Sequence, residues 1–426
     1  MSARSWLLRS LLGAVFVQAV LASAVVALNL RGEQPVDDNA KPFAATPGQV
    51  ERGRYLALAG NCAGCHTARG GPGYAGGRGI ETPFGTIYTS NLTPEATTGI
   101  GLWNADHFWR AMHNGRSRDG RFLYPAFPYT SFTQITREDS DALYAWLRTL
   151  PPVAQANRAH TLRFPYDTQA ALAVWRAVFF QPGRFATQPQ QSAEWNRGAY
   201  LVGGLGHCIA CHGSRNALGA TDTARGLVGG KLPSENWYAP ALDAAVEAGV
   251  ADWQKAEVVA LLKTGRTERG AALGPMAEVV YRSTQHLSDA DLHAMAVYLQ
   301  ALPQQPELPP AAPAARRRDD SQMRRGEKIY AQQCAWCHGE RGEGVAGVFP
   351  PLAGNRAVNL ANPANLVQVV RRGGYAPATE GNPRPYGMPP FGHVLGDEDI
   401  AAVLTYVRGS WGNTAAEVSL RDALQR

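Results

Sequence analysis

Six cysteines occur in the chain, and all six fall in one recurring pattern. The segments "CAGCH" (62–66), "CIACH" (208–212) and "CAWCH" (334–338) each read C-x-x-C-H. Residues three apart lie almost one helical turn apart, so the two thiols of each pair face the same way. Such a pair can add to the two vinyl groups on one edge of a porphyrin, and the adjacent imidazole can then turn toward the iron. The pattern predicts three covalent haem c groups. Cys62, Cys65, Cys208, Cys211, Cys334 and Cys337 are the attachment points, and His66, His212 and His338 the proximal iron ligands. A zinc site would need a second C-x-x-C close to the first. A thioredoxin-like pair needs no following histidine, and disulfides would leave the histidine in every copy to coincidence.

A haem that only carries electrons commonly takes a methionine thioether as its second axial ligand, which raises the potential and blocks small ligands. The chain holds only six methionines. Met276, in "GPMAEVVYRSTQHLSDADL", and Met388, in "YGMPPFGHVLGDEDI", stand where such a ligand is needed, so both are predicted to bind iron. In the first copy the matching stretch is "LYPAFPYT" (123–130), and its Phe127 cannot ligate iron. Met112 and His113 lie nearby. Alignment on Gly115, Gly265 and Gly373 puts Met112 with Leu262 and Val370, an inward apolar position. It puts His113 with Lys263 and Arg371, a position expected to face water. The first haem is therefore expected to be five-coordinate or weakly capped by water, with Met112 as the alternative ligand. Its potential should then lie below those of the other two.

The elements that must position these groups also recur. Before each motif runs a short helix with an Arg-Gly pair: Arg52 and Gly53, Arg197 and Gly198, Arg325 and Gly326. Each copy ends in an amphipathic segment with aromatic residues: "SDALYAWLRTLP" (140–151), "ADLHAMAVYLQALP" (290–303) and "DIAAVLTYVRGSWG" (399–412). A glycine on the first helix admits close approach of the last one, and the aromatics fill the crossing. Between them, "HFWRAMHNG" (107–115), "VVALLKTG" (258–265) and "LVQVVRRG" (366–373) predict a middle helix ending before glycine. The fold class is all-α, with domains at 46–153, 193–303 and 321–412 and a tail at 413–426. In domains this small the haem supplies much of the core. Residues 304–320 are Pro- and Ala-rich and should be extended. Residues 154–192 hold an apolar helix, "YDTQAALAVWRAVFF" (166–180), expected to pack between haem domains.

Residues 1–33 carry Arg4 and Arg9 ahead of an uncharged run, 11–30. That run is nearer the roughly 20 residues needed to cross a bilayer than the h-region of a signal peptide. An uncleaved anchor is favoured, although "ASA" at 22–24 offers a cleavage site. The arginines place the N-terminus in the cytoplasm and the rest on the periplasmic side of a bacterial inner membrane. The net charge of +6 over 426 residues is modest. No basic stripe with interleaved aromatics points to nucleic acid.

Past the anchor, residues 45–412 resemble the three-haem cytochrome c subunit of bacterial membrane-bound dehydrogenases. The likeness is carried by "TPFGTIYTSNLTPEATTGIG" (82–101), "SAEWNRGAYLVGGLGHCIACHGSRNALGA" (192–220), "GPMAEVV" (274–280) and "YVRGSWGN" (406–413). The resemblance implies three tandem cytochrome c domains that take electrons from a catalytic subunit. That subunit would be a quinoprotein, a flavoprotein or a molybdenum hydroxylase, and the acceptor ubiquinone or a terminal oxidase. The family's "YPAMPY" is "YPAFPY" here, a form resembling companions of molybdenum hydroxylases. The competing function is a peroxidase-like haem enzyme at an open first iron. It would need distal acid–base groups, for which Arg121, Tyr124 and Tyr129 are at hand, with no distal histidine except His113, expected to point outward. A free shuttle fits poorly with an anchor.

Overall fold

The computed structural model describes residues 3–38, 43–232, 236–305 and 319–424. Helix makes up 44% and strand 8%, so the fold is mostly helical as expected, with three small sheets among the described residues. Most of the predicted extended linker, residues 306–318, lies outside the described residues. The chain divides into two units, residues 1–54 with 66–186 and residues 55–65 with 187–426.

The first unit begins with α1 (Ala3–Asn29), 27 residues long. Next come α2 (Pro47–Ala59) and α3 (Cys62–His66), whose chain passes between the units at Tyr55 and His66. Strands β1 (Gly79–Thr82) and β2 (Gly85–Tyr88) form an antiparallel hairpin. Helices α4 (Ala105–Asn114), α5 (Tyr129–Phe132) and α6 (Arg137–Leu147) follow. Strand β3 (Thr161–Leu162) then adds to β2, and α7 (Gln169–Phe179) closes the unit. The Asn104 side chain and His107 form a capping box on α4, and Gly115 ends that helix in the left-handed region at φ 61°. A side chain there would run into the Tyr129 ring, 2.6 Å away, so the glycine is what lets the middle helix abut the 123–130 loop.

Helix α7 forms where its periodicity predicts. Its packing partner, however, is the end of α1, a correction to the expectation that it packs between haem domains. The reason is polar. Asn29, 6% exposed, donates to Ala173 O at 2.9 Å and accepts from Arg176 Nε at 3.0 Å. Arg176 is itself buried, with Phe122, Phe180 and Tyr129 rings 4.7, 4.8 and 5.1 Å from its guanidinium. The helix-terminal amide takes the Nε–H of the buried Arg176, and the aromatic rings surround the rest of the guanidinium.

In the second unit, α8 (Ala193–Gly203) and α9 (Ile209–His212) precede a hairpin of β4 (Gly230–Lys231) and β5 (Tyr238–Ala239). Helices α10 (Lys255–Thr264), α11 (Pro275–Arg282) and α12 (Asp289–Gln300) complete this half. The other half has α13 (Asp320–Gln333), α14 (Ala335–His338), α15 (Arg356–Asn359) and α16 (Ala364–Arg372). It continues with the β6 (Gly374–Tyr375) and β7 (Gly387–Met388) pair, α17 (Asp397–Gly409) and α18 (Leu420–Leu424). One core gathers Leu201, Val258, Leu262, Leu292, Met295 and Leu299; the other gathers Ile329, Tyr330, Val367, Ile400, Leu404 and Val407. Each such side chain contributes about 1.5–3 kcal/mol of burial. Residues 413–424, expected as a tail, fold back: Val418 and Ala423 are fully buried in the second of these cores.

Three helix crossings share one construction. A Cβ on Gly53, Gly198 or Gly326 would overlap the carbonyl of Ala142, Ala294 or Ala402, and would lie 2.8 Å from the Cβ of Trp146, Tyr298 or Tyr406. The preceding arginine pairs with the aspartate three residues before that alanine. Arg52 Nε lies 2.7 Å from Asp139, Arg197 Nε 2.7 Å from Asp291 and Arg325 Nε 2.8 Å from Asp399. The glycine sets how close the helices come, and the ion pair sets their register.

Candidate haem-binding sites

Each C-x-x-C-H motif lies at a one-turn helix, α3, α9 or α14, which presents its two cysteines about a turn apart. The following histidine is held at both ends. His66 Nδ1 lies 2.7 Å from Ser90 O, His212 Nδ1 2.7 Å from Pro240 O and His338 Nδ1 3.0 Å from Pro350 O. A carbonyl oxygen can only accept, so Nδ1 carries the proton and, in the neutral ring, Nε2 keeps its lone pair. Desolvation, which favours the neutral ring, holds all three imidazoles below the ordinary histidine value against the opposing pull of the carbonyl. The histidine's own carbonyl accepts from Gly76 N, Gly229 N or Gly344 N, each at 2.8 Å. These three glycines have φ of 75°, 83° and 67°. A side chain at any of them would strain the backbone and crowd the segment that folds over the histidine, with nearest atoms at 2.5–2.6 Å.

This arrangement suits a covalent haem. The six cysteines form no disulfide. Among the described residues no cluster of three or more His, Cys, Asp or Glu side chains is arranged to hold a metal ion. Burial pushes the Cys62 and Cys208 thiols up to about 12 and Cys334 up to about 11. What remains is two thiols and an Nε2 lone pair, the donor set of a c-type haem.

The expected second ligands are placed unevenly. Met276 stands in the first turn of α11 and packs on the same core as Cys208 and Ile209. Met388 is half-buried on β7, whose carbonyl abuts the Gly373 end of α16; it is not among the residues packed on the core that holds Cys334. Phe127 sits in an aromatic group, its ring 5.4 Å from Phe132 and 6.4 Å from Tyr129. Met112 is 5% exposed, as its inward alignment requires.

His113 corrects the sequence expectation. It is 7% exposed rather than water-facing, stacked on Trp109 at 4.5 Å, with Nδ1 2.8 Å from Thr133 O. Lys263 and Arg371, at the aligned positions, do equivalent work. Lys263 Nζ donates to Leu287 O at 2.9 Å, and Arg371 pairs with Asp397 at 2.6 Å. All three brace the start of the last helix or the loop before it. A cationic or polar tip on a long stem can lie over apolar surface and still reach a carbonyl, so polarity at this position did not mean solvent. The bracing role and the three carbonyl-gripping glycines were missed from sequence. The glycines fall 10, 17 and 6 residues after their histidines, a spacing with no period to find.

Comparison with known proteins agrees with this geometry. Residues 50–151 match the family model "Cytochrome c", and residues 321–407 match "Cytochrome C oxidase, cbb3-type, subunit III". The chain is 40% identical over 393 residues to the cytochrome c subunit of the quinone alcohol dehydrogenase of Gluconacetobacter polyoxogenes, covering 88% of this chain and 84% of that one. It is 39% identical over 391 residues to the gluconate 2-dehydrogenase cytochrome c subunit of Pantoea cypripedii, 88% of each. It is also 43% identical over 362 residues to a nicotinate dehydrogenase subunit of Pseudomonas putida, covering 84% of this chain but only 30% of that longer protein. With haem-type histidines gripped alike in three places, and two relatives matched over most of their length, the chain belongs to the cytochrome c subunits of dehydrogenases, multihaem electron carriers rather than catalytic subunits.

Proposed function

We propose that the chain is the three-haem relay of a periplasm-facing dehydrogenase complex, with cytochrome c domains at 46–153, 193–303 and 321–412. Cys62 and Cys65, Cys208 and Cys211, and Cys334 and Cys337 attach the haems, and His66, His212 and His338 ligate the irons. Met276 and Met388 complete the second and third. The first lacks a protein sixth ligand, because Phe127 occupies the methionine's place. The observation that carries this is the threefold Nδ1-to-carbonyl grip on the motif histidines, which leaves Nε2 for iron at each site.

Electrons enter from a catalytic subunit and leave to ubiquinone or another respiratory acceptor. The protein's part is to hold the haems and set their potentials through axial ligand, burial and hydrogen bonding. Phe127, together with the identity to a nicotinate dehydrogenase subunit, supports a molybdenum-hydroxylase type of partner over a quinoprotein or flavoprotein. Helix α1 is long and apolar enough from Trp6 to Asn29 to cross a membrane, which supports an N-terminal anchor with the haem domains on the periplasmic side.

Gentle detergent purification from native membranes, followed by intact mass of the chain and identification of what stays bound, tests this. Three haem additions and a dehydrogenase catalytic subunit are expected. Two additions or fewer would overturn the three-haem assignment. Peroxide turnover by the isolated chain would overturn the carrier role.

A further inference from the structure

Helix α7 leaves part of its apolar face exposed among the described residues. Its sequence, "QAALAVWRAVF", contains one charge, and that one, Arg176, is buried against Asn29 of α1. Ala170, Val174 and Val178 form an exposed stripe at i, i+4, i+8, with Val174 53% and Val178 66% exposed. Trp175 and Phe179 flank it, both partly buried, their rings 5.6 Å apart. Phe164, just before the helix, is 81% exposed. A continuous apolar stripe of this kind on a folded surface calls for an occupant.

The position of α7 says which. The apolar span Trp6–Asn29 has 24 residues, about 36 Å at the helical rise, against about 30 Å for a hydrocarbon core. The last turn of α1 therefore stands at the lipid–water boundary. The exposed Val26, Leu28 and Leu30 mark that level. The middle of α7 is tied to the same level by the Asn29 bonds to Ala173 and Arg176. Arg31 and Arg163, both exposed, flank the stripe, with Asp167 the exposed acid between Arg163 and the helix. Tryptophan and phenylalanine with basic neighbours suit the headgroup region.

We propose that α7 is an interfacial helix. Its Ala170, Val174 and Val178 stripe, with Phe164, lies in the headgroup–acyl boundary of the same bilayer that α1 crosses. This rests on the reading of α1 as a membrane span. The first unit then touches the membrane at two elements, and the buried Asn29–Arg176 junction fixes the angle between them.

The test uses the full-length chain in native membranes. Val174, Val178, Leu102 and Phe16 are replaced one at a time by a benzophenone amino acid, irradiated, and the adducts read by mass spectrometry. Haem content confirms that each variant folds, and all four positions are exposed. Phospholipid adducts at 16, 174 and 178 with none at 102 are expected. Lipid at 16 without lipid at 174 and 178 overturns the interfacial helix and leaves the anchor standing. Adducts at 174 and 178 to another polypeptide overturn it in favour of a protein partner. No lipid at 16 overturns the span itself, and the proposal with it.

Discussion

Replacing Gly198 by alanine tests the helix crossing that builds the second haem lobe. In isolation the change favours α8, because alanine exceeds glycine in a helix by up to about 1 kcal/mol. In the fold, the new Cβ would lie 2.6 Å from the carbonyl carbon of Ala294 and 2.8 Å from the Cβ of Tyr298. Both are backbone or backbone-proximal atoms, so no side-chain rotation relieves the overlap. Helices α8 and α12 must part by roughly 1 Å to restore ordinary contact. A gap of that size forfeits a quarter to a half of the dispersion energy across it. Leu201, Leu292 and Met295 are 2%, 0% and 4% exposed in this core. At about 1.5–3 kcal/mol each, losing a quarter or more costs roughly 1–3 kcal/mol, and strain adds to it. After the helix-propensity gain, the variant should be destabilised by about 2 kcal/mol. Hydrogen exchange by mass spectrometry in the intact holoprotein reads this locally. Amides of α8 and α12 should exchange about 30-fold faster, since each 1.36 kcal/mol is tenfold. Gly53→Ala and Gly326→Ala should do the same to their own crossings. Gly48→Ala, on α2 with nothing within 4 Å, should be neutral or stabilising. Unchanged exchange in Gly198→Ala would refute the close-approach argument, as would equal effects in Gly48→Ala.

Other perturbations address the sites and the surface. If the chain carries the three proposed haems and Phe127 leaves the first iron open, reduced protein should bind carbon monoxide at about a third of its haem, and Phe127→Met should abolish it; an unmodified chain that binds none would point to Met112 or another ligand. Arg408, 1% exposed, donates to Val358 O and Leu360 O at 2.8 Å and to Ala416 O at 2.9 Å. Lysine cannot reach this spread of acceptors, so Arg408→Lys should destabilise α17 by roughly 2–4 kcal/mol, seen as lost exchange protection confined to that lobe. Glu95 accepts from Thr98 N, Thr98 Oγ1 and Thr97 N, and these bonds hold its carboxyl down at about 2. A lowered folded-state value stabilises the loop above the unfolded value of about 4.3, and the gain is lost as pH falls toward 2. Proteolysis of the 93–101 loop should therefore be faster in Glu95→Gln at pH 7 than in the unmodified chain, with the difference shrinking below about pH 4; a pH-independent difference would reject the ionised cap.

The haem motifs, the crossing glycines and the C-terminal aromatics were readable from sequence because each depends on fixed local spacing. A thiol pair must be a turn apart to reach one porphyrin edge. A glycine must recur where two helix backbones meet, as Gly53, Gly198 and Gly326 do. Periodicity likewise found α7, since an apolar stripe of period 3.6 is a property of eleven consecutive residues. What that stripe would face was not in the period. It was decided by Asn29 and Arg176, 147 positions apart in the chain, which bind each other only once the fold has brought them together. The same holds for His113. Alignment found its place in the helix, but its burial depends on Thr133 and on a loop that returns over it. Gly76, Gly229 and Gly344 hold their histidines across loops of unequal length, so no spacing announces them. Fixed local spacing is what let the sequence predict where haem attaches. Long-range hydrogen bonds, which no window of sequence contains, decided how each histidine is aimed and which faces stay uncovered.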